Sequence, residues 1–166
     1  MVIMRSVRTI SRKGLEKNSL GYFLSGFVEG EGSFNISLRK KPDYKVSWQV
    51  VMSFNVSQKD PSILRILKEA LSCGILKVRK FDNLYSYDVT NPKDIIQKVI
   101  PYFQSYSFLS ESKIKNFGIF CKVAKLMDQG EHRNLEGLRR ILELRETINE
   151  GKGRTRKYGI KSVFPD

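Results

Sequence analysis

Leu24-Ser25-Gly26-Phe27-Val28-Glu29-Gly30-Glu31-Gly32 decides how this chain reads. From Leu20 to Val28 there is no charged residue, and then two glutamates arrive within three positions, each followed by glycine. A helix without a polar side is expected to be buried on both faces, and nine residues are too few to cross a bilayer. The stretch therefore predicts a buried helix that carries carboxylates into a protected place as it ends. The plainer alternative is a core helix whose Glu29 and Glu31 sit in a solvated exit loop. Gly26 and Gly30 stand one helical step apart, a spacing that lets two backbones approach closely. Asn18 or Ser19 is expected to cap the helix start, and three glycines in seven residues predict its end near Glu29 to Gly32.

Beyond Gly32 the period changes from helical to two. Phe34, Ile36 and Leu38 alternate with Asn35, Ser37 and Arg39 in a strand expected over Ser33 to Lys41, and Pro42-Asp43 makes a turn. The alternation resumes from Lys45 to Gln58. Val46, Trp48, Val50, Met52, Phe54 and Val56 point one way, while Lys45, Ser47, Gln49, Ser53, Asn55 and Ser57 point the other, with Val51 the exception. This is a hairpin with one buried and one open face. The open face carries Asn, Ser, Gln, Arg and Lys and no acid from Ser33 to Ser57, which are side chains that hydrogen-bond base edges and phosphates.

Asp60-Pro61 opens a helix with Ile63, Ile66, Leu67, Ala70 and Leu71 inward, and Gly74 stops it. A second hairpin is expected over Ile75 to Phe81 and Leu84 to Thr90, with Lys77, Arg79, Ser86 and Asp88 outward and Tyr85, Tyr87 and Val89 inward. Asn91-Pro92 begins a short helix that Pro101 ends. A helix from about Glu111 to Met127 buries Phe117, Phe120, Cys121, Ala124 and Met127. Asn134 caps a last helix with Leu138, Ile141, Leu142 and Ile148 inward. The order is αββαββα with extra C-terminal helices, an α+β architecture in which helices cover one face of an antiparallel sheet.

The 166 residues, 40% of them hydrophobic, fit one domain with a real core. A net charge of +13 points to a polyanionic partner, nucleic acid or an anionic membrane surface. The charge gathers at the ends: residues 1–17 and 152–166 each carry five basic and one acidic side chain. This suggests a basic N-terminal arm over 1–17, a domain over 18–150 and a basic C-terminal tail over 151–166. Cys73 and Cys121 have no metal-cage spacing and suggest a reducing compartment. His132 reads as surface decoration. No secretory segment or membrane-length apolar run is present, so no membrane partner is expected and an intracellular location is.

On these residues the chain resembles the single-motif LAGLIDADG homing endonucleases. Leu24 to Gly32 matches the name motif, with glutamates in the two acidic places. Gln58 closing Asn55-Val56-Ser57-Gln58-Lys59, the Ser112-Lys113 to Asn116-Phe117 segment, and the Glu136-Gly137-Leu138 to Arg145 helix before a basic tail also look like the family. The resemblance covers about residues 18–158. It implies a saddle-shaped sheet over double-stranded DNA and a homodimer joined through the motif helix at Gly26 and Gly30. It also implies a nearly palindromic target on the order of 20 base pairs. Mg²⁺ would be held by Glu31, with the Gly30 carbonyl as a further ligand, and Gln58 would order water around it. The family's lysine falls on Glu111 or Lys113, with Lys113 preferred for its place in the Ser-Lys segment; Glu29 takes a structural role. DNA contacts carry over to Asn35, Ser37, Arg39, Lys41, Ser47, Gln49, Ser53, Asn55, Lys77, Arg79, Ser86 and Asp88. The expected activity is Mg²⁺-dependent, site-specific double-strand cleavage by an intron-encoded enzyme resident with its host genome, in a bacterial or archaeal cytoplasm or an organelle. Two other readings remain: an RNA maturase (with its own intron RNA as a partner) or non-cleaving DNA-binding regulator on the same fold, and a basic ribosome- or chromatin-associated domain.

Overall fold

A computed structural model describes residues 16–149 and 156–165; most of the expected N-terminal arm and part of the expected C-terminal tail lie outside them. The chain runs α1 (Lys17–Glu31), β1 (Gly32–Lys40), β2 (Trp48–Gln58), α2 (Ser62–Leu71), β3 (Ile75–Val78) and β4 (Tyr85–Val89). It continues through α3 (Pro92–Asp94), a π-helical stretch (Ile95–Val99), α4 (Ile100–Ser105), α5 (Glu111–Asp128), a short 3₁₀ turn (Glu131–Arg133), α6 (Leu135–Glu146) and α7 (Ile160–Val163). The four strands form one antiparallel sheet in the order β1-β2-β4-β3.

Period-two patterning puts the even residues of β1 and β2 on the helix-covered face. Phe34, Ile36, Leu38, Trp48, Val50, Met52, Phe54 and Val56 are all buried there, joined by Tyr87 and Val89 of β4. Phe34 is the hub. Its ring lies 5.1 Å from Phe54, 5.0 Å from Phe117, 5.1 Å from Phe120, 5.9 Å from Phe103 and 5.8 Å from Phe108. One strand residue thus touches β2, α4, α5 and the loop between those helices, and aromatic contacts at these distances add to the burial of their own area.

Several local expectations are corrected. The first helix begins at Lys17 with Glu16 before it, so Asn18 and Ser19 lie inside the first turn and cap nothing. The β1–β2 connection is longer than a Pro-Asp turn. Lys41 to Ser47 form nested turns, with Lys41 N–H donating to Ser47 O at 2.9 Å, and Ser47 is left-handed at φ 59°. β2 therefore starts at Trp48. Pro101 does not end its helix: the chain widens into the π stretch just before it and continues as α4 to Ser105. A proline removes one intrahelical N–H and crowds the preceding turn, and a wider turn relieves both. The inward sets also shift. Leu64 joins Leu67 and Leu71, and Ile119 and Val123 join Phe117, Phe120 and Ala124, while Cys121 and Met127 are only half-buried. His132 is half-buried rather than fully exposed, and burial lowers its pKa.

The Asn91 and Asn134 caps match, whereas α2 starts one residue later than expected, with Pro61 at its cap position; Asp60 lies just before and still accepts from the backbone and hydroxyl of Ser62. Asn91 accepts from Lys93 N–H and Asn134 from Gly137 N–H. The segment 156–165 packs against the body instead of hanging free. Arg156 donates to the carbonyls of Arg145 and Ile148 at the end of α6, and the Tyr158 ring meets Trp48 at 5.1 Å. Arg145 is almost fully buried and donates to Ile36 O at 2.9 Å, while Asn149 donates to Phe34 O at 2.8 Å. These two side chains cover the outer edge of β1, an edge that would otherwise present unpaired carbonyls.

Because Phe34 joins so many elements, Phe34→Ala is expected to lower unfolding stability by about 3–5 kcal/mol. Urea denaturation followed by circular dichroism measures it.

Candidate active site and nucleic-acid face

Helix α1 is not buried all round within the chain. Leu24, Ser25 and Val28 face the core, and Gly21 abuts Tyr106, where a Cβ would lie 2.3 Å from the ring. The opposite face, by contrast, is open. Tyr22 and Phe23 are 58% and 57% exposed, and Gly26 and Gly30 continue the same stripe. A Cβ built on either glycine would meet nothing within 4 Å. Nothing among the described residues requires glycine at these two places.

The helix passes into β1 without a loop, since Glu31 is its last residue and Gly32 the first of the strand. Glu29 turns back to accept from the backbone N–H groups of Leu109 and Ser110, just before α5. The Ser110 side chain and these two N–H groups hold its carboxyl below the usual range. Lys113, in the first turn of α5, donates from Nζ to Gly32 O at 2.6 Å. Burial pulls its ammonium pKa down, opposed by the nearby charge of Glu29. Glu111 stays exposed. Of these two residues, Lys113 is the one that reaches the helix–strand junction.

Glu31 is exposed and carries no hydrogen bond or ion pair among the described residues. Gly32 pairs with Val56, so Gln58, two residues further along β2, ends the strand at the edge where α1 delivers Glu31. Its amide is likewise uncommitted. Among the described residues no three His, Cys, Asp or Glu side chains converge. One chain therefore offers Glu31 as a single free carboxylate. That fits a hard oxygen-seeking cation such as Mg²⁺, which takes one or two carboxylates and fills its shell with water and phosphate. It does not fit a soft, fully protein-caged metal.

The open face of the sheet is fixed by register. Ser33, Asn35, Ser37 and Arg39 of β1 pair with Asn55, Ser53, Val51 and Gln49 of β2. Asn55 and Ser57 pair with Asp88 and Ser86 of β4, which face Ile75 and Lys77 of β3. Nine of the twelve expected contact residues therefore share one surface of one sheet: Asn35, Ser37, Arg39, Gln49, Ser53, Asn55, Lys77, Ser86 and Asp88. The other three lie off the strands. Ser47 sits in the left-handed turn and is corrected from strand to loop; Lys41 follows β1, and Arg79 follows β3. Ser86 is buried at 4% exposure, its hydroxyl donating to Asp88. Ser33, Ser57, Val51 and Ile75 also belong to this face, and strand parity alone could have added Ser33 and Ser57 to the contact set.

The charges of the face are partly committed within the chain. Lys77 Nζ lies 2.9 Å from Asp88 Oδ2, and Arg79 is paired with Asp82 in the β3–β4 turn. Asn35 donates to Ser33 and to Asn55, a polar ladder across β1 and β2. Arg39 is exposed and unpaired among the described residues. No described helix is long and apolar enough to cross a membrane.

The model of the LAGLIDADG endonuclease family matches residues 24–124. A probable intron-encoded endonuclease of Neurospora crassa is 30% identical over 146 residues, covering 86% of this chain and 32% of that protein. The crystal structure of the I-LtrWI LAGLIDADG homing endonuclease bound to target DNA superposes with a TM-score of 0.79 at 30% identity, over 88% of this chain and 48% of that one. The structure of I-SmaMI bound to uncleaved DNA target in the presence of calcium ions gives 0.77 at 31% identity, over 87% and 48%. The chain thus spans about a third of the curated relative and about half of each solved chain.

The Glu29 contact makes a pH prediction. A carboxylate whose folded pKa is depressed stabilises the fold above its unfolded pKa and loses that contribution as pH falls through the folded value. Glu29→Gln is expected to lower Tm at pH 7, and the gap to the parent protein is expected to close below the ordinary carboxylate pKa of 4.5. Thermal melts from pH 7 to pH 3 measure it.

Proposed function

Since the chain belongs to the LAGLIDADG endonuclease family, we propose that it cuts double-stranded DNA at a specific site, as a homodimer using a divalent cation, Mg²⁺ in the first place. The observation that carries the reading is continuity. The uncovered polar face of the sheet runs directly into the helix end that bears the free carboxylate of Glu31. A flat surface of this kind suits a polymer lying across it rather than an enclosed small molecule.

The homodimer reading is supported by the open stripe of α1. Tyr22, Phe23, Gly26 and Gly30 form an exposed, charge-free helix face, and the space beside both glycines is free. A second α1 laid there would bring backbone to backbone and exclude the two aromatic side chains from water. Two-fold symmetry would then set the two Glu31 carboxylates near each other and continue one sheet into its mate, matching a nearly palindromic target.

In the reaction each residue has a separate task. Glu31 would hold the cation, with the Gly30 carbonyl as a further ligand. When bound, such a cation polarises the phosphoryl oxygens and lowers the pKa of a coordinated water. Gln58 orients water through its uncommitted amide. Lys113, half-buried and held against Gly32 O, presents positive charge beside the scissile phosphate, where the transition state accumulates negative charge. Its depressed pKa makes proton transfer accessible nearer neutral pH than for a solvated lysine.

Glu31→Gln is expected to keep its circular dichroism spectrum while cleavage of a plasmid carrying the joined flanks of the reading frame drops about 10³-fold or more. Retained cutting would remove Glu31 from the site. Gln58→Ala is expected to lose about 10- to 100-fold, the usual range for groups just outside a metal's ligands. For the dimer, Gly26→Leu fills the open stripe without touching this chain's own core, so sedimentation should shift from dimer to monomer with no loss of helicity.

A further inference from the structure

Asp88 is the one acidic side chain among the outward-facing strand residues. Every other such position from Ser33 to Ser86 is neutral or basic, as the pairing register defines them. A carboxylate on a surface that meets phosphates weakens binding to any duplex, so its presence calls for a task that an amide or hydroxyl would not perform. Its setting is well defined. Oδ2 takes two donors, Lys77 Nζ at 2.9 Å and Ser86 Oγ at 3.1 Å, while Oδ1 has no partner among the described residues. The Asp88 side chain keeps 14% of its exposure and the Lys77 side chain 55%. Asn55 flanks it on β2 and Ile75 on β3.

Resting on the site-specific DNA reading above, we propose that Lys77 and Asp88 act as one unit that reads a single base pair in the major groove by which strand carries the amino base, taking C·G or A·T over G·C or T·A. Cytosine N4 or adenine N6 presents an amino donor there, and the paired guanine O6 or thymine O4 presents an acceptor alongside. The protein offers the complementary order, a carboxylate with one free oxygen beside an ammonium donor. An ammonium alone would donate to a phosphate as readily as to a base. Tied to Asp88, Lys77 is neutralised toward phosphate and held over the sheet, and Asp88 repels the acceptor edges that a thymine or guanine would place at the amino-base position. Ser86, buried beneath, fixes the carboxylate by donating to the oxygen that also holds Lys77. Asp88 and Lys77 are thus specificity-determining residues whose joint effect is discrimination rather than affinity.

The test is selection from a randomised duplex pool with the purified full chain, with Asp88→Asn and Lys77→Met compared against Arg39→Ala. The parent protein is expected to enrich a motif with one position where C·G or A·T is preferred over G·C and T·A, and that preference falls at least about fivefold in both Asp88→Asn and Lys77→Met, at the same position. Asp88→Asn should also bind an unrelated duplex more tightly, having lost one negative charge, whereas Lys77→Met should not. Arg39→Ala should alter a different position, because Arg39 lies at the far end of β1 opposite Gln49. An enriched motif that both variants leave unchanged, or that they alter at separate positions, overturns the paired reading while leaving site-specific binding intact. A parent protein that enriches no sequence overturns site-specific recognition itself, and the paired reading with it. Circular dichroism of each variant confirms that the comparison is between folded proteins.

Discussion

The structure turns on the passage from α1 to β1 without an intervening loop. A helix that becomes a strand in one residue leaves its last carbonyls and the first strand residue to be stabilised by something else. Gly32 makes the turn sterically open, since a Cβ there would lie 2.6 Å from Val28 Cγ1 and 2.8 Å from Val28 O. Its N–H donates back to Val28 O, and its own carbonyl is taken by Lys113. Glu29, one turn before, is anchored to the N–H groups that open α5. Helix, strand and α5 are thereby locked at one point, and Glu31 projects from that point as its one uncommitted acid. The position of the Glu31 carboxylate follows from how the junction is held.

That lock leaves both sides of the layer with unfinished surfaces of different kinds. The sheet's outer edge is closed within the chain, by Arg145 and Asn149 reaching the carbonyls of Ile36 and Phe34. Among the described residues, the open face of α1 is not closed, and neither is the polar face of the sheet. An aggregation-prone edge is covered, while two non-edge surfaces stay free, one apolar and narrow, the other polar and broad. The first has the character of a contact between helices and the second that of a nucleic-acid platform.

Much of this was legible in the sequence because its periods are strict. The alternation from Ser33 to Gln58 placed Phe34, Ile36, Phe54 and Val56 inward and Asn35, Ser53 and Asn55 outward, and the pairing agrees residue by residue. What was hidden lies where tertiary contacts override local rules. Nothing in the sequence pattern marks Arg145, yet it is buried and donates to the β1 edge. Arg156 reads as part of a basic tail but is spent on the carbonyls ending α6. Pro101 reads as a stop, and the π stretch lets the helix pass it. Ser47 matched the alternation but lies in a left-handed turn, which parity cannot detect. The all-round apolarity of α1 was read as a demand for burial on both faces; among the described residues only one face is buried.

The partition of charge adds a final constraint on how the sheet can recognise its partner. Two of the basic side chains assigned to contacts, Lys77 and Arg79, are already paired with Asp88 and Asp82, so they bring little net attraction to the face. Most of what remains on it is Asn, Gln and Ser, groups with direction but no charge. A surface built for strength alone would leave its lysines and arginines free for phosphate, since phosphate contacts dominate affinity. Neutralising them locally lowers binding to every sequence by a similar amount, whereas the oriented donors and acceptors are lost only on the wrong one. The strongly basic balance of the chain is therefore not a property of this sheet face. On the proposed reading, long-range attraction would belong to the charge carried elsewhere, and the sheet would be left to discriminate.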